Sequence, residues 1–141
     1  MKYLLDTSVY TQPLKKDPVP QVIRKWEEVG DDACCISVFC EMELLQGIKI
    51  SRSEKLFDMY NTILKNRIPV FPFTGEEAEI YADIQAILIQ TGSRRPVIDL
   101  CIAATSIAQA CTLVTLNTTD FSSIPGLVIE NWSEPSVSSP I

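Results

Sequence analysis

Four acidic residues stand where chemistry is possible: Asp6 ends the apolar stretch "YLLD", Glu43 lies within "CEMELLQG", Asp99 opens "DLCIAATS" and Asp120 closes "TLNTTD". A carboxylate at the tip of an apolar strand is costly to desolvate unless something pairs with it. The chain contains no histidine. That removes Ser-His-Asp and Cys-His catalysis, zinc sites with histidine ligands, and histidine pH switching. Acid–base or metal chemistry must then rest on carboxylates, hydroxyls, thiols, lysines or backbone. Hard oxygen donors suit Mg²⁺ or Mn²⁺. Such ions orient an attacking water and neutralise charge on a phosphodiester during in-line displacement.

These acids must be positioned by ordinary globular structure. The chain has 141 residues, 46% of them hydrophobic and 21% charged, which fits one domain with a real core. A net charge of −6 argues against nucleic-acid binding by bulk electrostatics. It leaves open an acidic pocket that reaches phosphates through bound metal. Cys34, Cys35, Cys40, Cys101 and Cys111 are odd in number and lack C-x-x-C spacing. They read as small buried residues in a reducing compartment. With no signal-peptide pattern at the start and no apolar run of membrane-spanning length, the expected location is the cytoplasm.

Strand and helix signals alternate along the chain. Residues 2–5 read as a strand, and Val19, Val22, Ile23, Trp26 and Val29 give residues 14–29 a helical spacing. "ACCIS" is the second strand, and "VFCEMELLQGI" a helix capped by Ser37. Residues 51–65 form an amphipathic helix with Leu56, Met59, Tyr60, Ile63 and Leu64 inward, and "IPVFPF" is an edge strand. Thr74 starts a helix with acids in its first turn and Gly92 just past its end. A further helix runs from about Pro96, followed by the strand "CTLVTLN" and a last short strand in "GLVIENW". The order β-α-β-α-α-β-α-α-β-β predicts a three-layer α/β/α fold on a mostly parallel sheet. The tail "SEPSVSSPI" reads as frayed.

Open α/β sheets bind ligands in the crevice outside the carboxyl ends of their strands. Asp6 falls at such an end, Glu43 on the helix after the second strand, Asp99 in the first turn of the helix from Pro96, and Asp120 just after a strand on a Thr-rich loop. Each of the last three also has an ordinary structural reading: a solvated side chain, a helix-dipole partner, a cap before a buried Phe121. Gathered in one crevice, however, carboxylates repel one another and raise each other's pKa unless a divalent cation compensates. Asp6 is then there to hold a metal.

The stretches "YLLDTSVY", "ISVFCEMELLQGI" and "VIDLCIAATSIAQACTLVTLNTTDFSSIPGLVIENW" resemble the successive signatures of PIN-domain ribonucleases, above all the VapC toxins of toxin–antitoxin pairs. The resemblance spans residues 2–132 as one domain, leaving 133–141 as a tail, and its last block is the most specific. It implies a metal-dependent, single-strand-specific endoribonuclease with Asp6, Glu43, Asp99 and Asp120 as catalytic and metal-binding acids, and Mg²⁺ or Mn²⁺ as cofactor. Asp6 and Asp99 are expected as the primary ligands. Thr7, Thr115 and Asn117 match supporting polar positions. Ser8 stands where many members carry Asn, and "TGSRRPVID" lacks the commonest glycine-rich lead into the third acid, so the loop beside Asp99 is expected to differ in shape.

The resemblance also implies an RNA substrate, a cognate antitoxin with a basic or aromatic arm, and a homodimer. Lys15, Lys16, Arg24, Lys25, Arg94 and Arg95 are the basic residues expected near the RNA path. A haloacid-type phosphatase needs a second Asp two residues beyond the first, where this chain has Ser8. A response-regulator receiver needs paired acids near its first strand, where this chain supplies one. The remaining alternative is an inert PIN-like module that binds RNA or a partner without cutting.

Overall fold

The structure, a computed structural model, describes residues 2–134. β1 (Tyr3–Leu5) is followed at once by the one-turn α1 (Thr7–Tyr10), a 3-10 turn (Gln12–Leu14), α2 (Pro20–Val29), a second 3-10 turn (Asp31–Ala33) and β2 (Cys34–Ser37). Then come α3 (Val38–Ser51), α4 (Glu54–Met59), a π-helical turn (Tyr60–Leu64), β3 (Val70–Phe71) and α5 (Gly75–Gln90). α6 (Val97–Ala108), β4 (Thr112–Val114), α7 (Thr118–Phe121) and β5 (Ile129–Glu130) complete the order.

All pairings are parallel, in the spatial order β3-β2-β1-β4-β5. β1 is therefore central, with Leu4 registered against Cys35 on one side and Leu113 on the other. Strands flanked on both sides and covered on both faces read as unbroken apolar runs, and Leu4, Leu5, Ile36, Leu113 and Val114 are fully buried. The α/β/α architecture and parallel sheet are as the sequence predicts. Strand succession moves outward from β1 through β2 to β3, then returns to β4 on the other side. The switch point of the sheet thus lies between β1 and β4, where such folds open a crevice.

The helices follow from local chemistry, with corrections to the expected boundaries. α2 starts at Pro20, not at residue 14, because proline is accommodated at the first helical position while Pro13 and Pro18 break the preceding stretch. Buried Gln12 secures that stretch, donating to Ser8 O at 2.9 Å and accepting from Val19 N at 2.8 Å. The expected helix over residues 51–65 begins at Glu54 under a Ser53 cap, since Arg52 adopts φ 55° and ends α3. The one-turn helices α1 and α7 were not expected, and α7 moves Asp120 from a loop onto a helix. Ser37 caps α3 as expected, its hydroxyl accepting from Phe39 N at 3.1 Å.

The five cysteines are free and buried. Among the described residues no helix is long and apolar enough to cross a membrane. Of the expected tail, residues 135–141 lie outside the described residues.

Candidate active site

Asp6 leaves β1 as the N-terminal flank of α1, its N–H on Val114 O at 2.8 Å and its own carbonyl accepting from Val9 N and Tyr10 N. The backbone therefore fixes the residue between β1 and β4. Its side chain is only 5% exposed. Oδ2 accepts the Ser8 hydroxyl at 3.1 Å and the Thr115 hydroxyl at 2.8 Å. Both hydroxyls are oriented by backbone donors: Leu116 N–H to Ser8 Oγ at 3.1 Å, and Asn117 N–H to Thr115 Oγ1 at 3.0 Å. Two relays thus tie one carboxylate oxygen to the segment after β4. Among the described residues Oδ1 takes no side-chain hydrogen bond.

Glu43 projects from α3 and is half-buried, its Oε1 accepting the Thr7 hydroxyl at 2.6 Å. Gly47, one turn on, has open space around it. A groove of about 330 Å³ opens there, lined by Thr7, Glu43 and Gly47 with Leu14, Lys15 and Leu56. Asp99 lies in the first turn of α6, whose N-terminus faces the carboxyl edge of the sheet because α6 descends into β4. Asp120 is exposed on α7, just past that same edge.

The four carboxylates act on one another through space. Burial raises the Asp99 carboxyl above its ordinary value, followed by the charges of Asp6, Asp120 and Glu43. Burial likewise raises Asp6, against the hydrogen bonds of Thr115, Thr7 and Ser8, with the charge of Asp120 adding to the rise. The Cys40 thiol is pushed up by burial first and then by Asp6, with Glu43 adding to the rise. Among the described residues the ion pairs are Lys25–Glu28 and Arg67–Asp31, so none of the four acids has a basic side chain against it. Nor do three acidic or cysteine side chains among the described residues already converge as a finished metal shell. The acids share one edge of the sheet but stand apart, as uncompensated like charges must. The donor set fits a hard divalent cation, since every donor is oxygen and nothing else present neutralises it.

Of the supporting positions, Thr7 and Thr115 make side-chain contacts to the acids, while Asn117 contributes its backbone N–H and leaves its side chain exposed. Ser8 does more than its sequence position suggests, since it both bonds Asp6 and receives Leu116. The sequence reading missed Glu41 altogether. Its carboxylate accepts the Tyr60 hydroxyl and, at 3.1 Å, that of Tyr10, locking α3 to α1 and to the π turn beneath the crevice. No local pattern joins residues 10, 41 and 60; only the tertiary fold does. Of the expected basic residues, Lys15 lines the groove beside Glu43, Lys16, Arg24 and Arg94 are exposed, and Lys25 lies 4.0 Å from Glu28. Arg95 is half-buried and turned onto backbone carbonyls.

A parallel sheet of order 3-2-1-4-5 with acids at its switch point matches a known family: the sequence pattern of the PIN domain covers residues 3–127. The chain belongs to the PIN-domain family. It is 28% identical over 134 residues to ribonuclease VapC2 of Rickettsia felis, covering 95% of this chain and 100% of that one. It is 29% identical over 135 residues to the tRNA(fMet)-specific endonuclease VapC of Shigella flexneri, covering 94% and 99%. Over 101 residues it is 36% identical to a ribonuclease VapC of Rickettsia bellii, covering 70% and 75%. The crystal structure of VapBC2 from Rickettsia felis, bound to a DNA fragment from its promoter, superposes with TM-score 0.80 at 29% identity over 94% of this chain and 99% of that one.

Proposed function

We infer that this protein is the ribonuclease toxin of a toxin–antitoxin pair, a Mg²⁺- or Mn²⁺-dependent endonuclease of single-stranded RNA. The observation that carries the reading is the set of Asp6, Glu43, Asp99 and Asp120 at one sheet edge, mutually repelling and without a basic partner among the described residues. The VapC relatives, named as ribonucleases, support the reaction class, and the VapBC complex supports an antitoxin partner.

In this reading Asp6 and Asp99 hold the cation. Asp6 is aimed by the strand end with Oδ2 engaged and Oδ1 open, and Asp99 by a helix N-terminus. Glu43, on a longer side chain steadied by Thr7, orients bound water, and Asp120 closes the site from α7. Held by these acids, a divalent cation would supply charge neutralisation at the phosphodiester and activation of the attacking water. Lys15, in the groove beside Glu43, meets the RNA backbone. Exposed Phe57 and Ile50 provide apolar surface for a second copy of the chain, the homodimer of this reading.

The test is cleavage of a single-stranded RNA across a Mn²⁺ titration, beside Asp6→Asn and with excess EDTA. Loss of cleavage in both controls is expected, together with a Mn²⁺-dependent rise in melting temperature that Asp6→Asn lacks. Full activity in EDTA would overturn the metal. RNA binding without cleavage at any Mn²⁺ concentration would leave the inert module as the function.

A further inference from the structure

Arg95 occupies the loop between α5 and α6, two residues before α6 begins and four before Asp99 in its first turn. Its backbone is held by buried Gln85 of α5, whose amide donates to Arg95 O at 2.8 Å and accepts Arg95 N–H at 3.2 Å. Its guanidinium then reaches across 27 residues of sequence, Nη2 donating to Ser122 O at 2.6 Å while Nη1 donates to Ser93 O at 3.4 Å. Nε is buried and has no partner among the described residues. A buried guanidinium nitrogen left unsatisfied is costly, so the side chain is held in place by what its other nitrogens do. Ser122 is the C-terminal flank of α7, the single turn that carries Asp120. One turn of helix has no cooperative stability of its own, and the next residue, Ser123, sits at φ 63°. Beyond its own hydrogen bonds and its packing on α6 and β5, α7 is anchored by buried Phe121 and by the Arg95 contact.

We propose that Arg95 is a positioning residue, a fork that sets α7, and so Asp120, against the start of α6 that carries Asp99. The proposal rests on the metal reading above and deepens it. It also reassigns Arg95 from the expected RNA path to the inside of the site's scaffold. Lysine does not replace it, because a single ammonium on a flexible stem lacks the rigid fork that spans both carbonyls.

The experiment compares wild type, Arg95→Met and Arg95→Lys in two measurements. The first is the Mn²⁺ concentration giving half of the metal-induced rise in melting temperature. The second is the salt dependence of binding to a short single-stranded RNA in EDTA. Loss of a residue that orients metal ligands raises the Mn²⁺ requirement about tenfold or more. That rise is expected in both variants, with the RNA salt slope unchanged. A wild-type Mn²⁺ requirement in Arg95→Met overturns the proposal. So does a salt slope reduced by about one with Lys restoring it, the mark of a phosphate contact. If Arg95→Met does not fold, Arg95→Lys decides by the same two readouts. Absence of any Mn²⁺ response in wild type would overturn the metal reading, and this proposal with it.

Discussion

Burial and the charges of Asp6, Asp120 and Glu43 hold the Asp99 carboxyl above its ordinary value of 3.8, and linkage fixes the sign of the consequence. A carboxyl with a raised native pKa binds its proton more tightly folded than unfolded. Its contribution to stability is fully present below the unfolded pKa and is lost as pH rises through the native one. The metal-free protein therefore carries a penalty at neutral pH. Asp99→Asn should melt above wild type in EDTA at pH 7, by about 2–4 °C for each kcal/mol relieved. The gap should close toward pH 4, and melting curves across pH 4–8 check both. A pH-independent gap would mean that packing, not charge, is responsible. At this scale the acids announced themselves in the sequence by type and by the apolar runs before them. Ser8, Glu41 and Arg95 did not, because each makes a bond to a distant segment, to Leu116, Tyr60 and Ser122, that lies 108, 19 and 27 residues away, where no local spacing reaches.

The long elements were legible because their starts are marked, α3 and α5 by the caps Ser37 and Thr74 and α2 and α6 by Pro20 and Pro96, each ahead of a run of apolar residues. α5 is the clearest. Thr74 precedes it, and the Glu77 carboxylate accepts both the Thr74 hydroxyl and, at 3.0 Å, the Thr74 N–H. Burial pushes the Glu77 carboxyl up, but the Thr74 hydrogen bond and its companions outweigh this and leave it lowered. A lowered carboxyl contributes stability above its unfolded pKa that is lost as pH falls through the native value. Thr74→Ala should cost about 1 kcal/mol and lower the melting temperature without changing the Mn²⁺ requirement. A shift in that requirement would show that α5 reaches the site more directly than its Gln85 bridge to Arg95. α1 and α7 were illegible because a single turn has no periodicity to read. Both are nonetheless central to the site, since Thr7 and Asp120 ride on them.

Across the whole molecule, a parallel sheet was readable from the alternation of strands and helices, whereas the order β3-β2-β1-β4-β5 was not, because strand neighbours are chosen by tertiary pairing. The same order constrains the cysteines. Cys35 Sγ and Cys111 Sγ lie 4.0 Å apart, with Cys111 lowered to about 7 by the thiol of Cys35, which is itself raised. Yet β2 and β4 flank β1, which separates their backbones by about two strand spacings, roughly 9–10 Å. A disulfide requires Cα atoms within about 7 Å. Treatment with oxidised glutathione should therefore leave five titratable thiols after unfolding; recovery of three would require the strands to have moved. The position of β1 also has a consequence in time. Asp6 is synthesised 109 residues before Thr115, whose hydroxyl fixes it. At about 5–20 residues per second the nascent chain carries its first acid for roughly 5–20 s before the strand that completes the crevice exists. Until Thr115 and β4 exist, Asp6 has neither the hydroxyl that fixes it nor the strand that pairs with β1, so the four carboxylates cannot yet stand at one sheet edge.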